Sequence, residues 1–383
     1  MVELVRAGAS LRAVAQQCRV SLRTVQRWMT RAGREDLAQV DWTDRPSVPH
    51  TIQRTGLIAE DRVVQMRRYL REDSDLGEYG APAIHRALEA EGLGGVPSIR
   101  TIGRILERRG ALDGRRRVRR PPPPLGWYLP DVAMRRADVD SVDAVEDLCM
   151  AGGTMVDVVT CVSLHGGLPG AWPGPTLTTK RTMESLISHW VATGLPAYAQ
   201  FDNAPTFTGA QRYPNVLGRL VRLCLGLGVV PVFVPPRESG FQAAVEGFNG
   251  RWQAKVWHRF APSTMPVLEE RSTRYVLAYR VRLAPRLDAA PARRPFPARW
   301  RSAREAVPRG RLVYVRRTDA HGAVEVLGHG FTVSPTWPHR LVRCEVALSA
   351  GHVSFYALRR RAPNDQPLLR TVSHRWDIRP PTD

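Results

Sequence analysis

The sequence predicts a multidomain chain: an all-α N-terminal part, a central α/β domain built on a mixed sheet, and a small C-terminal β-barrel. Three observations support this. Apolar residues recur at helical spacing up to about residue 112 and at strand spacing from Val139 onward. A basic, proline-rich run, GRRRVRRPPPP over 114–124, separates the two patterns, a composition that favours an extended linker. Beyond residue 310, short alternating runs with turn residues between them suggest a small antiparallel barrel.

These patterns divide the chain into a helix-turn-helix domain over 1–40 and a second such unit over 57–113. A linker over 114–130 and the α/β core over 131–262 follow. Next come a helix and Pro/Arg-rich bridge over 263–309, the barrel over 310–362 and a tail over 363–383. In the first unit Ser10 is placed to cap a helix through Gln17, with Leu11, Val14 and Ala15 on one face. Ser21 caps the next helix. Leu22, Val25, Trp28 and Met29 form its apolar stripe, and Arg23, Thr24, Gln26 and Arg27 point outward near its start. A short helix, a tight turn and a second helix with a polar leading face is a helix-turn-helix arrangement; an ordinary helical hairpin is the alternative. Because Met1 already falls inside a helical pattern, a preceding helix or a different start is expected.

The second unit repeats the theme. Ser98 caps a helix whose Ile99, Ile102, Ile105 and Leu106 are expected inside, while Arg100, Arg104, Arg108 and Arg109 line much of the rest. A second DNA-binding module and a solvated charged face both fit. In the core, VDSVDAV and MVDVVTCVSL read as strands joined at Gly152-Gly153, with GLPGAW a third. A helix over Thr178–Thr193, the strand AYAQFDN, the helix LGRLVRLCLGLG, the strand VVPVFVPP and the long helix FQAAVEGFNGRWQAKVWHRF follow. Val267–Leu283 reads as a further helix.

Charge narrows the function. The net charge is +20, carried as +8 over 1–130, zero over 131–260 and +12 over 261–383. A neutral middle between basic arms suits a protein that grips a polyanion at both ends. A codon bias towards arginine could explain arginine over lysine, but not the excess of base over acid. Arginine also suits bidentate phosphate contacts, and Arg115, Arg116 and Arg117 in the linker are expected to touch phosphates without reading sequence. The five scattered cysteines show no zinc or redox spacing and read as buried, reduced thiols. No apolar run is long enough for a transmembrane helix, and the N-terminus lacks a secretory core, so no membrane partner is expected.

Three acids stand at suggestive places: Asp143 in the first strand, Asp202 after the strand AYAQF, and Glu246 on the helix FQAAVEGFNGRW. Strand ends and a facing helix can gather distant carboxylates, and hard divalent cations take oxygen ligands. Composition alone does not select these three. The motifs around them do: VDSVDAVEDLCMAGG, Asp202-Asn203-Ala204-Pro205-Thr206-Phe207, and Val245-Glu246-Gly247-Phe248-Asn249. In this order they resemble the retroviral-integrase-type, RNase H-like core of DDE transposases, especially the IS3 and IS481 insertion-sequence groups. The flanking helical units and C-terminal strands resemble that family too.

The resemblance implies an enzyme that cleaves DNA ends and joins them to a target. Asp143, Asp202 and Glu246 would hold Mg²⁺ (or Mn²⁺), in two ions, which would activate the attacking hydroxyl and stabilise the leaving oxygen. It implies double-stranded DNA as partner, a homo-oligomer on that DNA, and a cytoplasmic, nucleoid-associated location. An inactive, transposase-derived DNA-binding regulator and an RNase H-type nuclease are the competing readings. Several positions depart from the family pattern. Ala204 stands where glycine is usual, Gln242 where asparagine is usual, and Gln253 where a basic residue is usual, with Arg251 and Lys255 nearby. The 43 residues between Asp202 and Glu246 exceed the family's interval, and the excess is expected in QRYPNVLGRL. Asp140 replaces the usual tryptophan and competes with Asp143 as first ligand. His165 could approach the site or serve as a hydrogen-bonded strand end. Asn203 and Asn249 are expected to orient carboxylates or DNA.

Overall fold

The computed structural model describes residues 1–43, 55–92, 94–112, 125–208, 216–238, 240–301, 308–360, 362–376 and 378. The chain forms two compact units, Met1–Gly56 and Leu57–Asp383.

The first unit holds three helices, α1 (Val2–Arg6), α2 (Leu11–Gln17) and α3 (Leu22–Ala32). The serine caps form where the sequence puts them: Ser10 Oγ accepts from the Ala13 amide at 3.2 Å and Ser21 Oγ from the Thr24 amide at 3.1 Å. Val14, Ala15 and Val25 bury together, and Val2, Ala32 and Val40 form a second small cluster against Trp28 and Met29.

The second unit opens with α4 (Leu57–Glu72), α5 (Ala81–Ala90) and α6 (Ile99–Arg108), closed around Val63, Met66, Ile84, Leu88, Ile102, Ile105 and Leu106. Ile99, expected inside, is 46% exposed. The stripe first meets α4 and α5 at Ile102, so its leading residue stays in water. The loop after α4 is bound to the rest of the unit. Arg259 donates to the Ser74 and Glu72 carbonyls, both at 2.6 Å, and Lys255 to the Gly77 carbonyl at 2.7 Å.

After α7 (Pro130–Ala133) come the hairpin strands β1 (Val139–Cys149) and β2 (Met155–Ser163), joined at Gly152 and Gly153, both with positive φ. Then follow β3 (Pro169–Gly174), α8 (Thr179–Thr193), β4 (Tyr198–Phe201), α9 (Pro205–Thr208), α10 (Arg219–Gly226), β5 (Val230–Phe233) and α11 (Ala243–Trp252). A π-helical turn, Gln253–Trp257, continues α11 into α12 (His258–Phe260), and α13 (Met265–Arg282) and α14 (Ala284–Asp288) complete the helices. The long helix expected from Phe241 is thus three joined pieces.

The C-terminal strands are β6 (Arg311–Arg317), β7 (Ala323–Val326), β8 (His329–Thr332), β9 (Leu341–Ala347), β10 (His352–Ala357) and β11 (Leu368–Ser373). They do not close into a separate barrel. β6 lies parallel against β5, pairing Phe233 with Tyr314, and one nine-stranded sheet runs β11-β10-β9-β6-β5-β4-β1-β2-β3. Leu312 to Val315 are all buried, so β6 is covered on both faces and behaves as an interior strand. It also removes the bare edge that β5 would otherwise present. β7 and β8 form a separate hairpin. β11 falls in what the sequence suggests is a tail.

β1, β4, β5 and β6 are mutually parallel, and β1 to β3 are antiparallel. On one face Val142, Phe201, Phe233 and Tyr314 share a core with α8, α10 and the C-terminal strands. On the other, Val145, Val156 and Val158 pack against Val245, Phe248 and Trp252 of α11 and Tyr275 of α13. Cys161, Cys224 and Cys344 are buried as expected, whereas Cys149 is exposed. Among the described residues no helix is long and apolar enough to cross a membrane.

Candidate active site

Side chains alternate across a strand, so Ser141 and Asp143 face α11 while Asp140 and Val142 face α8. Ser141 pairs with Gln200 across the parallel β1–β4 ladder, and Gln200 Nε2 reaches Ser141 Oγ at 3.3 Å. Two residues further along the same face come Asp143 and Asp202. The helix supplies the third acid. α11 packs on β1, Gln242 Nε2 donates to the Val142 carbonyl at 3.3 Å, and Asn249 Nδ2 donates to Asp143 Oδ2 at 2.8 Å. Glu246 stands one turn before Asn249, on the same side of the helix.

The electrostatics register this gathering. Burial pushes the Asp143 carboxyl up to about 6, and the charges of Asp202 and Glu246 push the same way, against the hydrogen bonds from the Ala144 amide and Asn249. Glu146, on the same strand, is also raised, by burial and by Asp157, Asp147 and Asp202. The sequence reading passes over Glu146, although it lies inside the first motif, three residues after Asp143. The strand bulges between Val145 and Leu148, with Asp147 at φ 59°, which re-aims these acids.

The Asp202 loop is tightly held. Asp202 Oδ1 accepts from the Ala204 amide at 2.8 Å. Asn203 Nδ2 donates to the Val234 carbonyl at 2.7 Å, and Asn203 Oδ1 accepts from Arg316 Nη2 at 2.9 Å. Ala204 is not among the residues with positive φ, so alanine in place of glycine carries no left-handed strain there. Within QRYPNVLGRL, residues 211–215 lie outside the described residues, and Leu217 and Leu220 are buried.

Asp140 occupies a different environment. It is fully buried, and Arg293 clamps it with hydrogen bonds of 2.8 and 2.7 Å while Trp190 Nε1 donates at 2.9 Å. With Cys161 and His189 it forms, among the described residues, the one group of three potential ligands whose ligand atoms lie within 4.8 Å of one another. Asp143, Asp202 and Glu246 are not drawn that close. Yet the Asp140 group does not suit a cation. Arg293 already neutralises the carboxylate, Arg280 lies 3.3 Å from His189 Nδ1, burial pushes His189 down to about 4, and burial pushes the Cys161 thiol up. The donor set at Asp143 does suit one. It is all oxygen, and the neighbouring charges that weigh most on Asp143 are those of Asp202 and Glu246, both negative.

His165 is buried at the end of β2, its amide bonded to Asp138 at 2.8 Å and its Nε2 2.7 Å from the Val132 carbonyl, in the hydrogen-bonded strand-end role. Lys255 is engaged with Gly77 and the Tyr79 ring, and Arg251 lies over Tyr279. In the first unit Arg23, Gln26 and Arg27 are exposed along the start of α3, whereas the Thr24 hydroxyl lies 2.8 Å from Ser21 Oγ within the cap. On α6, Arg100 and Arg104 are exposed, while Arg108 and Arg109 pair with Glu60 and Asp61 of α4. Arg115, Arg116 and Arg117 lie outside the described residues.

Residues 1–38 match the family model of the homeodomain-like domain, so the chain begins with a homeodomain-like helix-turn-helix. No curated protein matches the chain. Among solved structures it is similar to the catalytic core domain of BIV integrase, at 16% identity over 37% of this chain and 81% of that one, with a TM-score of 0.28. It is also similar to a chain of the simian T-cell lymphotropic virus intasome, solved in complex with PP2A regulatory subunit B56 gamma (13% identity, 77% and 93% covered, TM-score 0.34). A third is the HTLV-2 integrase catalytic core domain in complex with magnesium (13% identity, 37% and 83% covered, TM-score 0.28).

Proposed function

We propose that the chain is a DDE transposase or integrase that cleaves DNA ends and transfers them to a target duplex. The observation that supports this is the raised carboxyl of Asp143, on which burial and the charges of Asp202, just past β4, and Glu246, on the facing helix α11, all act in the same direction. Asp143, Asp202 and Glu246 would hold Mg²⁺ or Mn²⁺, in two ions. When bound, such ions lower the barrier to in-line phosphoryl transfer by activating the attacking oxygen and stabilising the leaving one. The chain's own residues set the geometry. Asn249 fixes the orientation of Asp143, the Ala204 amide fixes that of Asp202, and Glu246 closes the site from α11.

The helix-turn-helix would read the element's ends through Arg23, Gln26 and Arg27 in the major groove. Arg100 and Arg104 of α6 would add a second contact region, with Arg115, Arg116 and Arg117 on phosphates. An insertion-sequence element of the IS481 or IS3 kind, a homo-oligomer pairing two ends, and a nucleoid-associated location belong to the same reading.

Strand transfer on a duplex carrying the element's terminal sequence tests it. Joined products should require Mg²⁺ or Mn²⁺. Glu246→Gln should lower their rate at least about 100-fold, a barrier increase of about 3 kcal/mol, with DNA affinity unchanged. Wild-type protein that binds this DNA yet yields no metal-dependent product would point to a DNA-binding regulator. Nicking without joining would point to a nuclease.

A further inference from the structure

The C-terminal strands reach the acidic site through one side chain. β4, β5 and β6 are adjacent and parallel, with Phe201 opposite Phe233 and Phe233 opposite Tyr314. Two residues beyond Phe201 and Tyr314, on the same faces, stand Asn203 and Arg316. Arg316 Nη2 donates to Asn203 Oδ1 at 2.9 Å and its Nη1 to the Val234 carbonyl at 3.2 Å, while Asn203 Nδ2 donates to that same carbonyl at 2.7 Å. Its guanidinium also lies over the Tyr314 ring, 4.8 Å from the centroid. One arginine therefore ties together the ends of three strands, and the residue it grips is the covalent neighbour of Asp202.

We propose that Arg316 is a positioning residue for the acidic site, acting through Asn203 to fix the Asp202 carboxylate for divalent-cation binding. The inference rests on the carboxylate reading above. It makes the strands from residue 311 onward part of the scaffold of the site, although Arg316 lies more than a hundred residues from Asp202 along the chain. A planar guanidinium suits the task because its fork can serve a side-chain oxygen and a backbone carbonyl at once, which an ammonium cannot do in the same plane. Arg317, the next residue along, provides a control: it is exposed and paired with Glu238 rather than with Asn203.

The test is Mn²⁺ affinity of the full chain by calorimetric titration, with thermal unfolding run in parallel. Wild type should bind, and Asp202→Asn should lose binding. Arg316→Met should weaken Mn²⁺ about tenfold, Arg317→Met should leave it unchanged, and Arg316→Met should have little further effect in an Asn203→Ser background. That non-additivity is the mark of action through Asn203 rather than through general stability. Wild-type affinity in a folded Arg316→Met protein overturns the proposal while leaving the carboxylate reading intact. A wild type that binds no Mn²⁺ overturns both. If Arg316→Met does not fold, Asn203→Ser decides alone: it removes the bond to Arg316 together with that to the Val234 carbonyl, and unchanged affinity there rejects the role.

Discussion

Asp140 and Asp143 lie on one strand, three residues apart, and face opposite sides of the sheet. Asp140 is sealed beneath α8 with its charge matched by Arg293, which holds its carboxyl below the usual range despite burial. Asp143 looks towards α11 among further acids, and its carboxyl is held well above that range. The same residue type, in nearly the same place, is a structural fastener on one face and a candidate ligand on the other. What separates them is whether a cation is built into the fold. At Asp140 the buried charge is matched from within the fold, whereas at Asp143 the neighbouring charges that weigh most are themselves negative.

The strongest way to break this comparison is to remove the compensation. Arg293→Met should leave Asp140 buried and unpaired and cost about 3–5 kcal/mol in urea unfolding. A loss under about 1 kcal/mol would mean that water reaches Asp140 and the clamp is ornamental. Arg293 lies in the Pro/Arg-rich bridge, and nothing in local periodicity connects that bridge with the first strand. The sequence could offer Asp140 and Asp143 only as rivals. Helices, caps and strands were legible because their signals are local: a serine before an amphipathic run, alternation in MVDVVTCVS, glycines at the hairpin. Pairings between distant segments were not. β6 joining β5, β11 emerging from an expected tail, Arg316 reaching Asn203 and Arg293 reaching Asp140 all depend on where the chain returns, which no window of residues encodes. The three acids are singled out by their motifs rather than by pattern, and Glu146, inside the first motif but not its matched acid, is passed over.

The next effect is smaller and opposite in sign. Asp143 has a folded-state value of about 6 against an ordinary value near 4. The fold therefore favours the protonated form, and stability without divalent metal should fall as pH rises from about 4 to above 6. Asp140, held below its ordinary value, contributes stability above that value and loses it as the medium becomes more acid. Asp143→Asn, with chelator present, should remove the decline and gain about 2–3 kcal/mol at pH 7.5 relative to wild type. Urea unfolding at pH 4.5 and 7.5 measures it. An unchanged slope in the variant would show that other acids on that face carry the strain.

The same contrast between fixed and free charge extends to the helical modules. On α6, Arg108 and Arg109 are already matched by Glu60 and Asp61, whereas Arg27 and Gln26 of α3 are exposed, Arg27 lying over the Trp28 ring at 5.6 Å. Gln26→Ala or Arg27→Ala should cost about 1–3 kcal/mol on the cognate end and little on a scrambled duplex. Equal losses on both duplexes would make α3 a phosphate clamp and move sequence reading to Ser98–Arg109.

The smallest effect per residue belongs to the linker arginines. Arg115, Arg116 and Arg117 stand in a basic run before four prolines, with Val118 its one aliphatic residue, a composition expected of an extended linker. Arginines in a linker of that composition are expected to contact phosphates rather than base edges. Their contribution is counterion release, and that carries a signature of its own. Each phosphate that is no longer neutralised should reduce the slope of log affinity against log salt by about one, on cognate and scrambled DNA alike. Neutralising all three arginines to glutamine should therefore weaken both duplexes in parallel at low salt. The difference from wild type should shrink as salt rises, while the ratio of cognate to scrambled affinity stays constant. Isotherms at several salt concentrations decide it: a changed ratio would mean that the linker is held against the grooves and takes part in reading them.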